Sequence, residues 1–189
     1  MLLALGGLVG LVFGLLTGGS LHNVLGRRLR WPLVVVAVLV LRELEIRSPL
    51  GSAALGPAVF ALSLAVLLVW AVWHHDRLPG IWLVVVGIAM NLAVVLANGG
   101  HMPVAPAAAH VGPPQLLEQG SFAQYILMGP DTRLGWLGDW ILLPPPIGQL
   151  FPQAYSPGDL VSMAGFAVVL FLATRTDPKS TSSGAITTR

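Results

Sequence analysis

Long apolar runs separated by short polar clusters dominate the chain, and their lengths predict helices that cross a bilayer. The first run, Met1 to Leu21, is interrupted near its end by Gly18-Gly19-Ser20. The second, Trp31 to Ile46, is apolar only over Trp31–Leu41, about 16 Å at 1.5 Å per residue. Crossing therefore requires Arg42, Glu43 and Glu45 to sit in the interfacial region. The third, Pro57–Trp73, opens with a proline suited to a helix start and closes with Trp70 and Trp73 at aromatic-belt depth. Gly80–Ala97 and Asp159–Thr174 complete five spans. The pattern thus predicts an all-α, polytopic transmembrane bundle.

Residues 98–157 form a segment too long for a connector and too apolar for a solvated loop. Asn98–Pro114 reads as a Gly/Pro/Ala turn region, and Gln115–Met128 as a short amphipathic helix. Leu134–Leu143, with Trp136 and Trp140, reads as interfacial, ahead of the proline-rich Pro144-Pro145-Pro146 and Pro152. Together they predict an outer cap of short interfacial helices. Asp131 and Ser156 are expected N-caps, and Asp159 falls in the first turn of the last span, where a carboxylate is favoured. Residues 176–189 are polar and aperiodic, which predicts a disordered tail.

Composition turns this pattern into a class. Hydrophobic residues make up 55% of the 189 and charged residues 10%, with mean hydropathy +0.80. A soluble globular domain, a disordered chain and a nucleic-acid partner are excluded, since so much apolar surface needs a bilayer. The chain has 0 cysteines, so neither disulfides nor thiolate metal sites arise. The first positive charge, Arg27, follows the first apolar run, which favours a retained span over a cleaved signal.

Charge sets orientation. Five spans put Arg27, Arg28, Arg30, Arg77, Arg175, Lys179 and Arg189 on one side, against Arg42, Arg47 and Arg133 on the other. The positive-inside rule then predicts an N-out, C-in protein. Six of the eight acidic residues fall at the outer end or its cap, all but Asp76 and Asp177.

Several constellations could carry chemistry. Gly6, Gly10, Gly14 and Gly18 recur every four residues, a glycine zipper for close helix packing within the chain or between copies. Arg42, Glu43, Glu45 and Arg47 read as charges neutralising one another at a protruding helix end, with a substrate entrance as the sharper alternative. His74-His75 reads as an inner polar cap. The scattered His22, His101 and His110 show no zinc spacing, so neither a metal nor a cofactor is implied. Asn91 and Asn98 share a helix face and need amide partners in lipid. Asp139 and Asp159 are expected to share Arg133 across the cap. Asn91, Asn98, His101, Arg133, Asp139 and Asp159 form the candidate ligand- or partner-binding set, and no catalytic residue is assigned.

At Asn91, Asn98-Gly-Gly-x-Met102-Pro103-Val104, Thr132-Arg133-Leu134-x-x-Leu137-Gly138-Asp139, the proline-rich 144–152 and Ser156-x-Gly158-Asp159, the chain resembles a family of small bacterial integral membrane proteins of unknown function. Trp140-Ile-Leu-Leu-Pro departs from that pattern, where more β-branched residues are expected, and the Arg42–Arg47 cluster is peculiar to this chain. The resemblance implies a multi-span inner-membrane protein and carries no activity. Three functions remain open: a non-enzymatic site under the cap for a small ligand, a protein partner or a second copy; a small transporter or channel subunit; and a membrane enzyme using Asp139 or Asp159 with His101 or His110.

Overall fold

A computed structural model describes residues 2–47, 55–111, 124–150 and 153–177. The chain is mostly helical. Five long helices account for this: α1 (Leu2–Leu16), α3 (Pro32–Arg47), α4 (Gly56–Trp73), α5 (Ile81–Ala97) and α7 (Pro157–Arg175), with the short α2 (Leu21–Leu25) and α6 (Ile147–Leu150) between them. Of these, α4 and α7 are long and apolar enough to cross a membrane. Five full-length spans are not what the chain forms by length. Helix α1 rises only about 22 Å and α5 about 26 Å, and the apolar part of α3 is confined to Pro32–Arg42.

The first helix stops at Leu16 rather than Leu21 for a local reason. Gly18 adopts φ 92°, and the Gly19 and Gly18 amides bond back to Gly14 and Leu15 at 2.9 and 3.2 Å. This is a Schellman stop, which favours glycine at the left-handed position. Gly18 is therefore a terminator with open space where a side chain would project, not a packing position. The other three glycines of the zipper pack within the chain. A Cβ at Gly6 would meet the Met163 carbonyl, one at Gly10 the Ala167 carbonyl and one at Gly14 the Thr174 hydroxyl. This order of contacts makes α1 and α7 parallel.

Helix α5 crosses the other side of α7 in the opposite direction. Gly87 lies against Ser162 and the Gly158 carbonyl, and Gly165 lies against the Val84 amide. Helix α4 packs on α5 through Phe60, Leu64, Val94 and Val95 near one end and through Ala71 and Ile81 near the other. The outward faces stay apolar: Leu8, Phe13, Leu33, Leu62 and Val69 are all exposed. Only 33% of α4 and of the apolar window in α7 is buried within the chain, whereas the core helix of a soluble protein would be mostly covered.

One end of the bundle gathers Arg27, Arg28, Arg30, Arg77 and Arg175, mostly bonded to the chain itself. Arg27 donates to the Arg77 carbonyl at 2.8 Å, Arg77 to the Arg28 carbonyl at 2.6 Å and Arg175 to the Thr17 carbonyl at 2.6 Å. His74 is fully buried here. Its Nδ1 donates to the Trp70 carbonyl at 2.7 Å, and its Nε2 accepts from the Arg30 amide at 2.9 Å. The expected inner polar cap is thus an internal tie between α4 and the loop before α3, with His75 left exposed.

The opposite end is not all-α. Strand β1 (Met102–Val104) pairs in parallel with β2 (Tyr125–Leu127), and β3 (Ile141–Leu142) pairs antiparallel with β4 (Ala154–Tyr155). Residues 125–127, expected to be helical, are a strand rich in the aromatic and β-branched types that suit one; 112–123 lie outside the described residues. Residues 135–137 form a 3-10 turn, and Asp131 caps no helix. The tail expectation concerns mainly 178–189, also outside the described residues, as do the side chains of Glu43, Glu45 and Arg47.

Replacing Gly10 by valine should lower the melting temperature in mild detergent far more than replacing Gly18 by alanine. The first change overpacks a helix contact, at about 1–3 kcal/mol or more, and the second adds only backbone strain of about 1–2 kcal/mol. A Gly10→Val protein that melts with the wild type would show that α1 does not pack on α7.

Candidate functional site

Helix α7 begins on a reciprocal cap. The Ser156 hydroxyl accepts the Asp159 amide at 2.9 Å, and the Asp159 carboxylate accepts the Ser156 amide at 3.1 Å. Such a box satisfies amides that a helix start would otherwise leave bare. The second carboxylate oxygen of Asp159 accepts from Asn91 Nδ2 at 2.8 Å, and Asn91 Oδ1 accepts from the Ser156 hydroxyl at 2.8 Å. Gly158 makes this closure possible, because a Cβ there would fall on Asn91 Oδ1. Asn91 and Ser156 are buried, and the amide of Asn91 has both partners that lipid could not supply.

Asp139 joins the cluster from the cap. Its amide donates to the Pro103 carbonyl at 2.8 Å, and its carbonyl accepts from the Ala105 amide at 2.9 Å. The backbone of Asp139 therefore runs as a bridge along β1, beside Val104. Its side chain is 6% exposed, and Oδ1 has no hydrogen-bond partner among the described residues. Burial, then the nearby Asp159 carboxylate, push the Asp139 carboxyl well above its ordinary range, while Arg42 opposes them. The Tyr155 hydroxyl and Arg42 Nε are likewise buried with no hydrogen-bond partner among the described residues. Burial and Asp159 raise the Tyr155 pKa. Tyr125 is also raised, by burial first and Asp139 second.

Among the described residues the cation that Asp139 senses is Arg42, not Arg133. Arg42 donates to Gln124 Oε1 at 3.2 Å and stacks over the Phe60 ring at 4.6 Å. Arg133 is exposed and contributes through its backbone: its amide donates to Asn98 Oδ1 at 3.0 Å, and its carbonyl accepts from Asn98 Nδ2 at 2.8 Å. Asn98 thus imitates a strand partner and clasps the 129–135 turn to the end of α5. His101 stays on the same turn, its Nδ1 donating to the Asn98 carbonyl at 3.4 Å. Of the six candidate residues, Asn91, Asp139 and Asp159 come together, whereas Asn98, Arg133 and His101 hold the cap in place.

Sequence reading missed Arg42, Gln124, Tyr125 and Tyr155 as members of this cluster. Arg42 carried a signal, since it is the one guanidinium attached directly to an apolar helix run, but its local pairing with Glu45 offered a sufficient explanation. Among the described residues no group of three or more His, Cys, Asp or Glu side chains is placed to hold a metal ion. What the cluster offers is a fixed carboxylate at Asp159, an acceptor at Asp139 Oδ1, a hydroxyl at Tyr155 and a donor at Arg42 Nε.

Because folding raises the Asp139 pKa, the protonated form is the one the fold favours. Its contribution is complete below the ordinary value of 3.8 and is lost as pH climbs through the raised value. The wild-type melting temperature should therefore fall from about pH 5 to pH 8, and Asp139→Asn should flatten that slope. Equal slopes in the two proteins would show that Asp139 ionises as freely folded as unfolded.

Several residues quoted in the sequence analysis are one another's contacts: Asn91 with Ser156, Gly158 and Asp159; Asn98 with Arg133; Pro103 with Asp139. No curated protein and no solved structure matches the chain. A family model does match, over residues 28–171, a stretch that includes every residue of this cluster. The chain belongs to DUF5317, a family of unknown function.

Proposed function

We propose that the chain is a non-enzymatic, multi-pass protein of the bacterial cell membrane that binds a small ligand or a partner group at its cap end. Five alternating crossings agree with the helix directions: α1 and α7 run parallel, and α5 runs against α7. The short helices α1 and α5 can be accommodated by local thinning of the bilayer or by flanking residues that reach the interface. Clustering of Arg27, Arg28, Arg30, Arg77 and Arg175 at one end favours that end as cytoplasmic, which leaves the cap outside.

The observation that carries the binding reading is that Asp139 Oδ1, the Tyr155 hydroxyl and Arg42 Nε are all buried with no hydrogen-bond partner among the described residues, and that Asp139 and Tyr155 each sense the Asp159 carboxylate. An unmet buried polar group costs about 1–3 kcal/mol, so a guest that bonds to one of these atoms recovers part of that penalty. The clasp at Asn98 and the box at Ser156 keep the surrounding backbone in place whether or not the guest is present.

Two measurements test this reading. The cysteine-free chain suits single-cysteine labelling: Trp136→Cys should react with an impermeant maleimide on intact cells, and Arg28→Cys only after permeabilisation. The reverse pattern overturns the orientation. For binding, a thermal-shift panel of alkali salts, organic ammonium ions, amino acids and phosphate should contain at least one class that stabilises the wild type and not Asp139→Ala. No response to any class overturns the site.

A further inference from the structure

At the end of the bundle away from the cap, the loop 26–31 and the turn 74–79 are laced together by arginines. Arg27 donates to the Arg77 carbonyl at 2.8 Å, and Arg77 donates to the Arg28 carbonyl at 2.6 Å, so three cationic residues are drawn together by one another's backbone. Arg27 is spent on that tie and on Thr176, and its buried Nε meets no acceptor among the described residues. Arg28 is exposed, and its guanidinium meets no acceptor among the described residues. Arg30 and Arg77 share one oxygen of Asp76, at 3.7 and 3.9 Å, and the Asp76 side chain is 46% exposed. The other described charges at this end are Arg175 and Asp177; Lys179 and Arg189 lie outside the described residues. Gathering like charges is unfavourable unless an anion joins them, and one carboxylate at the edge of contact leaves most of the guanidinium donors unused.

Resting on the membrane reading above, we infer that Arg28, Arg30 and Arg77 form a seat for the phosphodiester of an anionic phospholipid, with Trp31 and Trp73 as its interfacial anchors. Guanidinium forks match the oxygens of a phosphate, and anionic headgroups are what a cytoplasmic leaflet offers to basic segments beside a span. The tryptophans are the second, independent observation. The backbone of Arg30 is gripped on both sides: its amide donates to His74 Nε2 at 2.9 Å, and its carbonyl accepts from Trp70 Nε1 at 3.0 Å. Immediately after this grip Trp31 takes φ 51°, a conformation that bulky residues rarely adopt, and its indole stands 69% exposed between the exposed Leu29 and Leu33. Trp73 is also exposed, and the Arg30 guanidinium lies over its ring at 5.6 Å. Guanidiniums beside outward indoles and leucines fit a headgroup with its glycerol and acyl chains, since indoles settle at that depth of a bilayer. A soluble acidic partner would complement the arginines and leave the indoles in water.

The test is thermal unfolding of the full chain in a neutral detergent, with phosphatidylglycerol or phosphatidylcholine added at equal mole fraction. Phosphatidylglycerol should raise the wild-type melting temperature above its value in phosphatidylcholine, by binding the folded form. That gain should fall at least twofold between about 0.1 M and about 1 M salt, as the screening length drops from about 10 Å to about 3 Å. Arg28→Gln breaks no side-chain bond among the described residues, so it should melt like the wild type in phosphatidylcholine and show at most half the gain. Trp31→Gly suits the positive φ; it should keep the phosphatidylcholine melting temperature and also lose at least half the gain. Equal wild-type melting in the two lipids overturns the inference, as does a gain that salt, Arg28→Gln or Trp31→Gly leaves unchanged. A gain of the same size from inorganic phosphate or from polyglutamate, at matched ionic strength, overturns the lipid assignment. Failure here is distinct from failure of the membrane reading: an absent lipid response with Arg28→Cys labelled only after permeabilisation removes this seat alone, whereas labelling on intact cells removes the orientation.

Discussion

Helix α7 is held by backbone proximity rather than by interlocking side chains, and the rest of the bundle is arranged around that fact. On one side α1 presents Gly6, Gly10 and Gly14 to the Met163 and Ala167 carbonyls and to Thr174. On the other, Gly87 of α5 meets Ser162, and the α7 glycines 158 and 165 meet Asn91 and Val84. In a bilayer, apolar side chains would gain little by leaving lipid for a helix interface, and close van der Waals approach and interhelical hydrogen bonds would have to supply the association. Glycines supply the first and Asn91 the second. Both come to bear on the same helix, and the outward apolar residues of α1, α3 and α4 stay exposed.

The cap depends on that arrangement. Because α5 and α7 touch at Gly87 and Gly158, the end of α5 lies next to the start of α7, and the polar groups there must satisfy one another. Ser156 and Asp159 do so as a capping box, with Asn91 bridging across. The strands that follow α5 and precede α7 then have fixed anchors. They carry Asp139 into the cluster by a backbone ladder rather than by a side-chain contact, which explains how an aspartate with no hydrogen bond to its Oδ1 stays in place.

Much of this was legible in the apolar pattern and the punctuation residues. Positions of the long helices followed from run length, the Ser156 cap from its residue type ahead of the last apolar run, and the packing role of Gly6, Gly10 and Gly14 from their period of four. What was not legible depended on pairing between distant segments. A three-residue strand such as Met102–Val104 has too few positions to show alternation, and its partner Tyr125–Leu127 sits at the end of a run that also fits a helical period. The same limit hid Arg42. Its neighbours in sequence suggested local ion pairs, whereas its described partners, Gln124 and Phe60, are supplied by other elements. Gly18 kept the period of its helix but had already left it, because the left-handed stop and the packing stripe both select glycine.

Asp159 is both the cap of α7 and the fixed charge of the polar cluster, and this double duty gears the cluster to the helix. The carboxylate cannot move relative to the first turn of α7 without breaking the box that starts it. A helix of this length is a stiff rod of about 28 Å, and its far end is tied through Thr174 to Ser20 and Asn23 and through Arg175 to Thr17. An axial shift or rotation of α7 would therefore break the capping box at one end and the ties to Ser20, Asn23 and Thr17 at the other.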